Sequence, residues 1–167
     1  IHTAYIAAGA EVITTNTFNA NRLKLGDKMS VEEAYRLAAD CARAAGAPYI
    51  AGDIGPTGSL LEPMGTLSFG EAYGIFAEQV RAAVAAGCDI ILIETMADLR
   101  EAKAALLAAR ENSTLPVFVT MTFGEDGRTF LGTTPEIAAE VLSSLGAQAV
   151  GFNCSLGPAE LVGAAHA

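Results

Sequence analysis

The sequence predicts an α/β fold, a partial (β/α)8 barrel, and three observations carry that reading. Short apolar strands alternate with Ala-rich helices in units of about 30–45 residues, the size of βα repeats. No G-x-G-x-x-G follows the first strand and no P-loop is present, so the two common nucleotide-binding sheets lack their signatures. Hydrogen-bonding and ionisable residues collect after every strand, while the opposite ends carry small or apolar residues such as Ala10, Ala47-Pro48 and Gly87-Cys88. In barrels the chemistry sits at the carboxyl ends of the strands.

Residues 1–9 read as the end of a helix that Gly9 can close. Residues 11–14 form a short strand. Ser30-Val31-Glu32-Glu33 is a capping box opening a helix that runs to about Ala45, with Gly46 as its stop. A second strand covers 48–53. Ser68-Phe69-Gly70-Glu71 repeats the capping box, and Gly87 ends that helix. Residues 89–94, with the run Ile90-Ile91-Leu92-Ile93, form a strand buried on both faces, because hydrophobicity does not alternate. Asp98 caps a helix ending near Arg110, and 117–122 is the next strand. Thr134-Pro135 places an N-cap before a proline at the first helical position; Gly146 closes that helix and 148–153 is the fifth strand.

Five parallel strands with right-handed crossovers fit an open doubly wound sheet or part of a barrel. A complete barrel needs about 250 residues, so the 167 residues here correspond to about strands 2–6. The chain begins on Ile1-His2 inside a helical pattern and ends on Gly163-Ala164-Ala165-His166-Ala167 as another helix starts. It reads as one incomplete domain, 1–167, truncated at both ends, with open strand edges that invite self-association.

Composition narrows the function. The chain is 51% hydrophobic and 17% charged, which excludes a disordered tail. Ten Lys and Arg against 19 Asp and Glu give a net charge of −9, which argues against nucleic acid. The apolar runs are too short to span a membrane. Three Cys cannot build a disulfide framework and fit a reducing, cytoplasmic setting. Cys41 and Cys88 read as packing residues.

The rim residues are Thr15, Asn16, Thr17 and Phe18; Asp53 and Gly55-Pro56-Thr57-Gly58; Glu94 and Thr95; Thr122, Phe123 and Gly124; and Asn153, Cys154 and Ser155. Glu94 directly follows an apolar strand, so its carboxylate must be paired or its pKa rises. It fits an anchor for a substrate ammonium or a general acid/base, and equally a salt bridge or helix cap. Cys154 fits a nucleophile, a metal ligand or a small core residue; no His adjoins it, His166 being twelve residues away. Gly55-Pro56-Thr57-Gly58 reads as a turn more readily than as an anion cradle. Asp126-Gly127-Arg128 is a turn from which Arg128 could reach the mouth. No strand ends in Lys, which disfavours a Schiff-base aldolase.

The motifs then fall in one order: Asn16-Thr17-Phe18-Asn19-Ala20-Asn21, Asp53-Ile54-Gly55-Pro56-Thr57-Gly58, Leu92-Ile93-Glu94-Thr95, Gly127-Arg128-Thr129, and Gly151-Phe152-Asn153-Cys154-Ser155-Leu156-Gly157-Pro158. Across essentially its whole length the chain resembles the homocysteine-binding domain of the homocysteine S-methyltransferases, in its last motif the cobalamin-dependent methionine synthases above all. The resemblance implies a (β/α)8 barrel in which zinc is held by three Cys thiolates and takes the homocysteine sulfur as fourth ligand. Cys154 matches the first zinc ligand and Glu94 the acid that holds the substrate amino group; Asn16 and Asn153 sit in pocket motifs. The implied methyl donor is methylcobalamin recharged from methyltetrahydrofolate, with cobalamin and folate bound by other domains of the parent protein; betaine or S-methylmethionine are alternative donors. Two family features are missing: an Asp-Gly motif on the first strand and a downstream Cys-Cys pair. The chain alone is therefore expected to bind zinc poorly and to lack methyltransferase activity. A non-catalytic assembly module is the competing reading.

Overall fold

The computed structural model describes residues 1–157 and Val162. Its core is a parallel sheet of β1 (Val12–Thr14), β2 (Tyr49–Ile54), β3 (Ile90–Met96), β4 (Val117–Met121) and β5 (Ala149–Phe152). The spatial order is the chain order, β1-β2-β3-β4-β5, and every pairing is parallel. A doubly wound sheet reverses its strand order at a switch point; this one never reverses. It is the progression of a barrel wall.

The connecting helices are α1 (His2–Ala7), α2 (Arg22–Leu25), α3 (Val31–Ala44), α4 (Phe69–Ala85), α5 (Leu99–Asn112) and α6 (Pro135–Ser144). Helices α3, α4 and α5 pack side by side over one sheet face. Their buried stripes are mostly alanine, including Ala82, Ala83, Ala104 and Ala105. Small side chains let helix and sheet approach closely. A Cβ placed on Gly52 of β2 would lie 2.8 Å from Ala83 Cβ and 3.2 Å from Cys88 Sγ. Ile91, Ile93, Val117 and Val119 are fully buried on this face. On the other face Leu92, Glu94, Phe118 and Thr120 are only half-buried.

The predicted starts and stops appear with local differences. Ser68 and Glu71 form the complete reciprocal capping box, whereas Ser30 makes only its half, accepting from Glu33 N–H at 3.1 Å. Asp98 caps α5 through Arg100 N–H at 2.8 Å. Thr134 makes no side-chain cap bond, and α6 starts on Pro135. Helix α2 was not read from the sequence; Asn21 caps it, accepting from Leu23 and Lys24 N–H at 3.1 Å each. Cys88 is buried as expected, and burial pushes its thiol up to about 11. Cys41 corrects the packing assignment: it is exposed, because the buried stripe of α3 is Val31, Tyr35, Ala39 and Ala42, and position 41 lies off it.

Candidate functional site at the carboxyl rim of the sheet

Pleat and register bring the site together. In a parallel sheet, paired residues face the same side. Asp53 pairs with Leu92, and Leu92 with Phe118, so Asp53, Glu94 and Thr120 share the face turned away from the helices. Asn153 follows β5 and takes its N–H bond to Met121 O, which continues the ladder.

Asn153 is the hub. Its Nδ2 donates to Glu94 Oε2 and to Thr95 Oγ1, both at 2.9 Å. Its Oδ1 accepts from Thr120 Oγ1 at 2.9 Å, and Thr120 Oγ1 accepts from Thr95 N–H at 3.2 Å. Thr95 Oγ1 lies 3.8 Å from Cys154 Sγ. The thiol is exposed and stands on the same rim as the acid. Ser155 is hydrogen-bonded to Thr122.

The backbone here is unusual. Ile93 pairs with Val119 but Met96 with Met121, so β3 spends three steps where β4 spends two. This bulge contains Glu94 and Thr95. Among the described residues, positive φ outside glycine occurs at Thr95 (61°), Cys154 (60°) and Ser155 (55°). All three lie at this rim. Such backbone strain concentrates at functional sites.

Asp53 adjoins Glu94 from β2. Burial raises its pKa from 3.8 to about 8, and the negative charge of Glu94 adds to the rise. Asp53 is 3% exposed, and its Oδ1 has no hydrogen-bond donor among the described residues. Its backbone is held firmly: its N–H donates to Thr15 Oγ1 at 3.0 Å, and its carbonyl accepts from Thr17 Oγ1 at 2.8 Å and Tyr35 Oη at 2.6 Å. Gln79 Nε2 donates to Tyr35 Oη at 3.2 Å. Near neutral pH Asp53 therefore keeps its proton, chiefly because it is buried.

The structure sorts the other sequence candidates. Asn16 is exposed and makes no hydrogen bond to this cluster. It lines a cavity of about 580 Å³ with His2, Phe18, Leu37 and Cys41. The turn Gly55-Pro56-Thr57-Gly58 is already filled by a carboxyl of this protein: Glu101 Oε1 accepts from Thr57 N–H at 2.8 Å and Thr57 Oγ1 at 2.6 Å, and burial raises the Glu101 pKa. Arg128 stays within its own turn, donating to Gly132 O at 2.9 Å. His166 lies outside the described residues. Sequence reasoning counted Asp53 and Thr95 only as rim residues and overlooked Thr120, although its hydroxyl interrupts the apolar run of β4.

The sequence model of the homocysteine S-methyltransferase family matches residues 1–166. The chain belongs to this family. Methionine synthase from Mycobacterium leprae (strain TN) is 32% identical over 177 aligned residues, covering 96% of this chain and 15% of that protein. Methionine synthase from Mycobacterium tuberculosis (strain ATCC 25618 / H37Rv) matches at the same identity and coverage. The chain thus spans about 15% of the length of these relatives. Among solved structures, the apo form of the Escherichia coli homocysteine methyltransferase MmuM superposes with a TM-score of 0.72 at 19% identity, covering 93% of this chain and 60% of that one. Its metallated form gives 0.63 at 14% identity, covering 100% of this chain and 83% of that one. These likenesses establish the shared barrel fold.

Zinc is the metal that family membership brings to mind, and the donor set can be tested for it. Cys154 offers one soft, exposed sulfur of the kind zinc favours. Zinc sites take four ligands, at least three of them from protein. Among the described residues no group of three His, Cys, Asp or Glu is arranged to hold a metal. Cys154 suits one corner of such a site, and the described chain does not complete it.

Proposed function

We propose that this chain is the homocysteine-binding part of a methyltransferase that converts homocysteine to methionine. The observation that carries the reading is the joining of Glu94, Asn153, Thr95 and Cys154 into one chain of contacts on one rim. A substrate with an ammonium at one end and a thiol at the other matches an acid and a sulfur ligand presented side by side.

Glu94 binds the ammonium. Asn153 holds Oε2 in place, so the carboxylate meets its ligand without searching rotamers, which reduces the entropic cost of binding. Cys154 would hold zinc at one corner, with further thiolates from a Cys-Cys pair outside this chain. Zinc, when bound, converts a thiol to a thiolate at neutral pH, where a free thiol of pKa near 8.5 is mostly protonated. The left-handed turn at Cys154-Ser155 aims the sulfur at the mouth and not into the core. Asn16, adjoining Thr15 and so close along the chain to the Asp53 anchor, would contribute from the edge of the pocket. The methyl donor in this reading is methylcobalamin, recharged from methyltetrahydrofolate, on other domains of a cytoplasmic enzyme. The 32% identity to two methionine synthases supports it over betaine or S-methylmethionine. Among the described residues no helix is long and apolar enough to cross a membrane.

The test is Glu94→Ala in the full-length protein, with zinc content and L-homocysteine affinity measured on the same preparation. Homocysteine affinity should fall at least tenfold more than zinc affinity. Equal loss of both would make Glu94 a structural residue and overturn the reading.

A further inference from the structure

The Glu94 site carries a buried acid that ammonium binding alone does not explain. Asp53 is 3% exposed, adjoins Glu94, and keeps Oδ1 without a donor among the described residues. A buried oxygen left unpaired costs free energy. A valine at this place would avoid the cost.

The surroundings of Asp53 define what it can do. Glu94 faces it from β3. Tyr35 faces it from α3 but donates to its backbone carbonyl, and burial holds that phenol protonated far above neutral pH. From the loop after β1 come the neutral hydroxyls of Thr15 and Thr17. The charge that acts on Asp53 is that of Glu94, and no cation among the described residues offsets it. The ion pairs among the described residues, Arg22–Glu78, Arg36–Asp40 and Arg43–Asp40, involve other carboxylates. Two adjacent carboxyls without a cation cannot both ionise near neutrality.

We infer that Asp53 is a positioning residue that shares a proton with Glu94 in the free protein and releases it when a ligand ammonium docks on Glu94. This rests on the homocysteine reading of the site. The balance is simple. The free pair is one carboxylic acid and one carboxylate. An arriving R–NH3+ keeps its own protons and supplies a positive charge; the Asp53 O–H bond breaks, its proton passes to buffer, and both carboxylates face the cation. The pair thereby favours thiols that carry an ammonium over thiols that lack one, and it makes uptake pH-dependent.

The experiment is calorimetric titration of the full-length, zinc-loaded protein in buffers of differing ionisation enthalpy, which counts protons released. The two probes are L-homocysteine and 4-mercaptobutyrate, the same thiol without its amino group. Thiol ionisation at the metal is common to both and cancels in their difference. L-homocysteine should release about 0.9 proton more than the analogue at pH 7, falling to about 0.5 at pH 8, since the shared proton is half lost near pH 8 and both free thiols and the free ammonium are still largely protonated over this range. Asp53→Asn, which keeps the shape and a donor toward Glu94, should bind L-homocysteine without the extra proton. Equal release by the two ligands in the wild-type protein overturns the inference even if the variant does not fold. If the analogue binds too weakly to titrate, unchanged proton release by L-homocysteine in Asp53→Asn overturns it. Failure of the wild-type protein to bind L-homocysteine overturns the homocysteine reading itself, and this inference with it.

Discussion

Replacing Asp53 by Asn should make the protein more stable above pH 5, by an amount that grows with pH. Unfolded, Asp53 ionises near 3.8; folded, it keeps its proton to about 8, chiefly because it is buried and secondly because Glu94 is beside it. Between these values the native state binds more protons than the unfolded state, so stability falls as pH rises. Each pH unit in that window costs about 1.3 kcal/mol, about 2.6 kcal/mol between pH 5 and pH 7. Above pH 8 both states are ionised and the loss levels off. Asn mimics the protonated acid and has nothing to titrate. Ionisable groups distant from Asp53 are common to both proteins and cancel in the difference, and below pH 8 Glu94 has a neutral neighbour in either protein. Urea unfolding at pH 5, 6, 7 and 8 therefore reads the group directly: the gap between variant and wild type should widen by about 2–3 kcal/mol from pH 5 to pH 7 and change little beyond pH 8. Parallel stability curves across this range would refute the assignment of the proton to Asp53.

Glu101→Gln leaves Thr57 facing a weaker acceptor and should cost about 1–2 kcal/mol of stability, read from the unfolding midpoint, because charge-assisted bonds are stronger than neutral ones. Ser68→Ala removes the hydroxyl arm of the capping box on α4, which accepts from Glu71 N–H, and should cost about 1 kcal/mol by the same measurement; the backbone N–H arm to Glu71 remains. Gly55→Ala would bring a Cβ to 2.5 Å from the carbonyl oxygen of Phe18, so the loop must shift; amide exchange in residues 55–59 should rise more than tenfold. Cys154→Ser should abolish zinc retention by the full-length protein, measured as metal content after dialysis, while leaving thermal unfolding of the apoprotein nearly unchanged, since the side chain is exposed.

The barrel wall was legible in the sequence because its signals are local. Ser68 with Glu71, Asp98, Thr134-Pro135 and the closing glycines each act within one turn of chain, and the unbroken Ile90–Ile93 run marks a strand of which Ile90, Ile91 and Ile93 are buried while Leu92, expected to be buried too, is half-buried on the face turned away from the helices. Glu94, Asn153 and Cys154 stand at the rim for a similar reason: a polar residue at the carboxyl end of a buried parallel strand has only the rim to occupy. What escaped depends on register. That Asp53 meets Glu94 follows from pairing Asp53 with Leu92, which neither strand states alone. Thr120 became visible as a bridge only once β5 was placed beside β4. Cys41 differs from the packing expectation because residue type alone does not give helical phase: the buried stripe runs through Val31, Tyr35, Ala39 and Ala42, and position 41 lies beside it on the exposed face.

The bulge in β3 explains how one strand serves both core and site. In a regular strand alternate residues face alternate sides, so Glu94 and Thr95 would point to opposite faces and Thr95 would enter the helix layer. The extra residue breaks that alternation. Met96 returns to the core, fully buried, while Glu94 and Thr95 both reach the amide of Asn153. The cost falls on Thr95, a β-branched residue at φ 61°, on the order of 1–3 kcal/mol. Bonds from two other strands offset it: Thr95 N–H to Thr120 Oγ1, and Asn153 Nδ2 to Thr95 Oγ1. Those bonds come from β4 and the end of β5, so the strained conformation persists only when both strands are docked. The position of the acid and that of the thiol are then not independent. The amide that fixes Glu94 belongs to the residue preceding Cys154, and a shift of β5 that moved the sulfur would release the carboxylate in the same step.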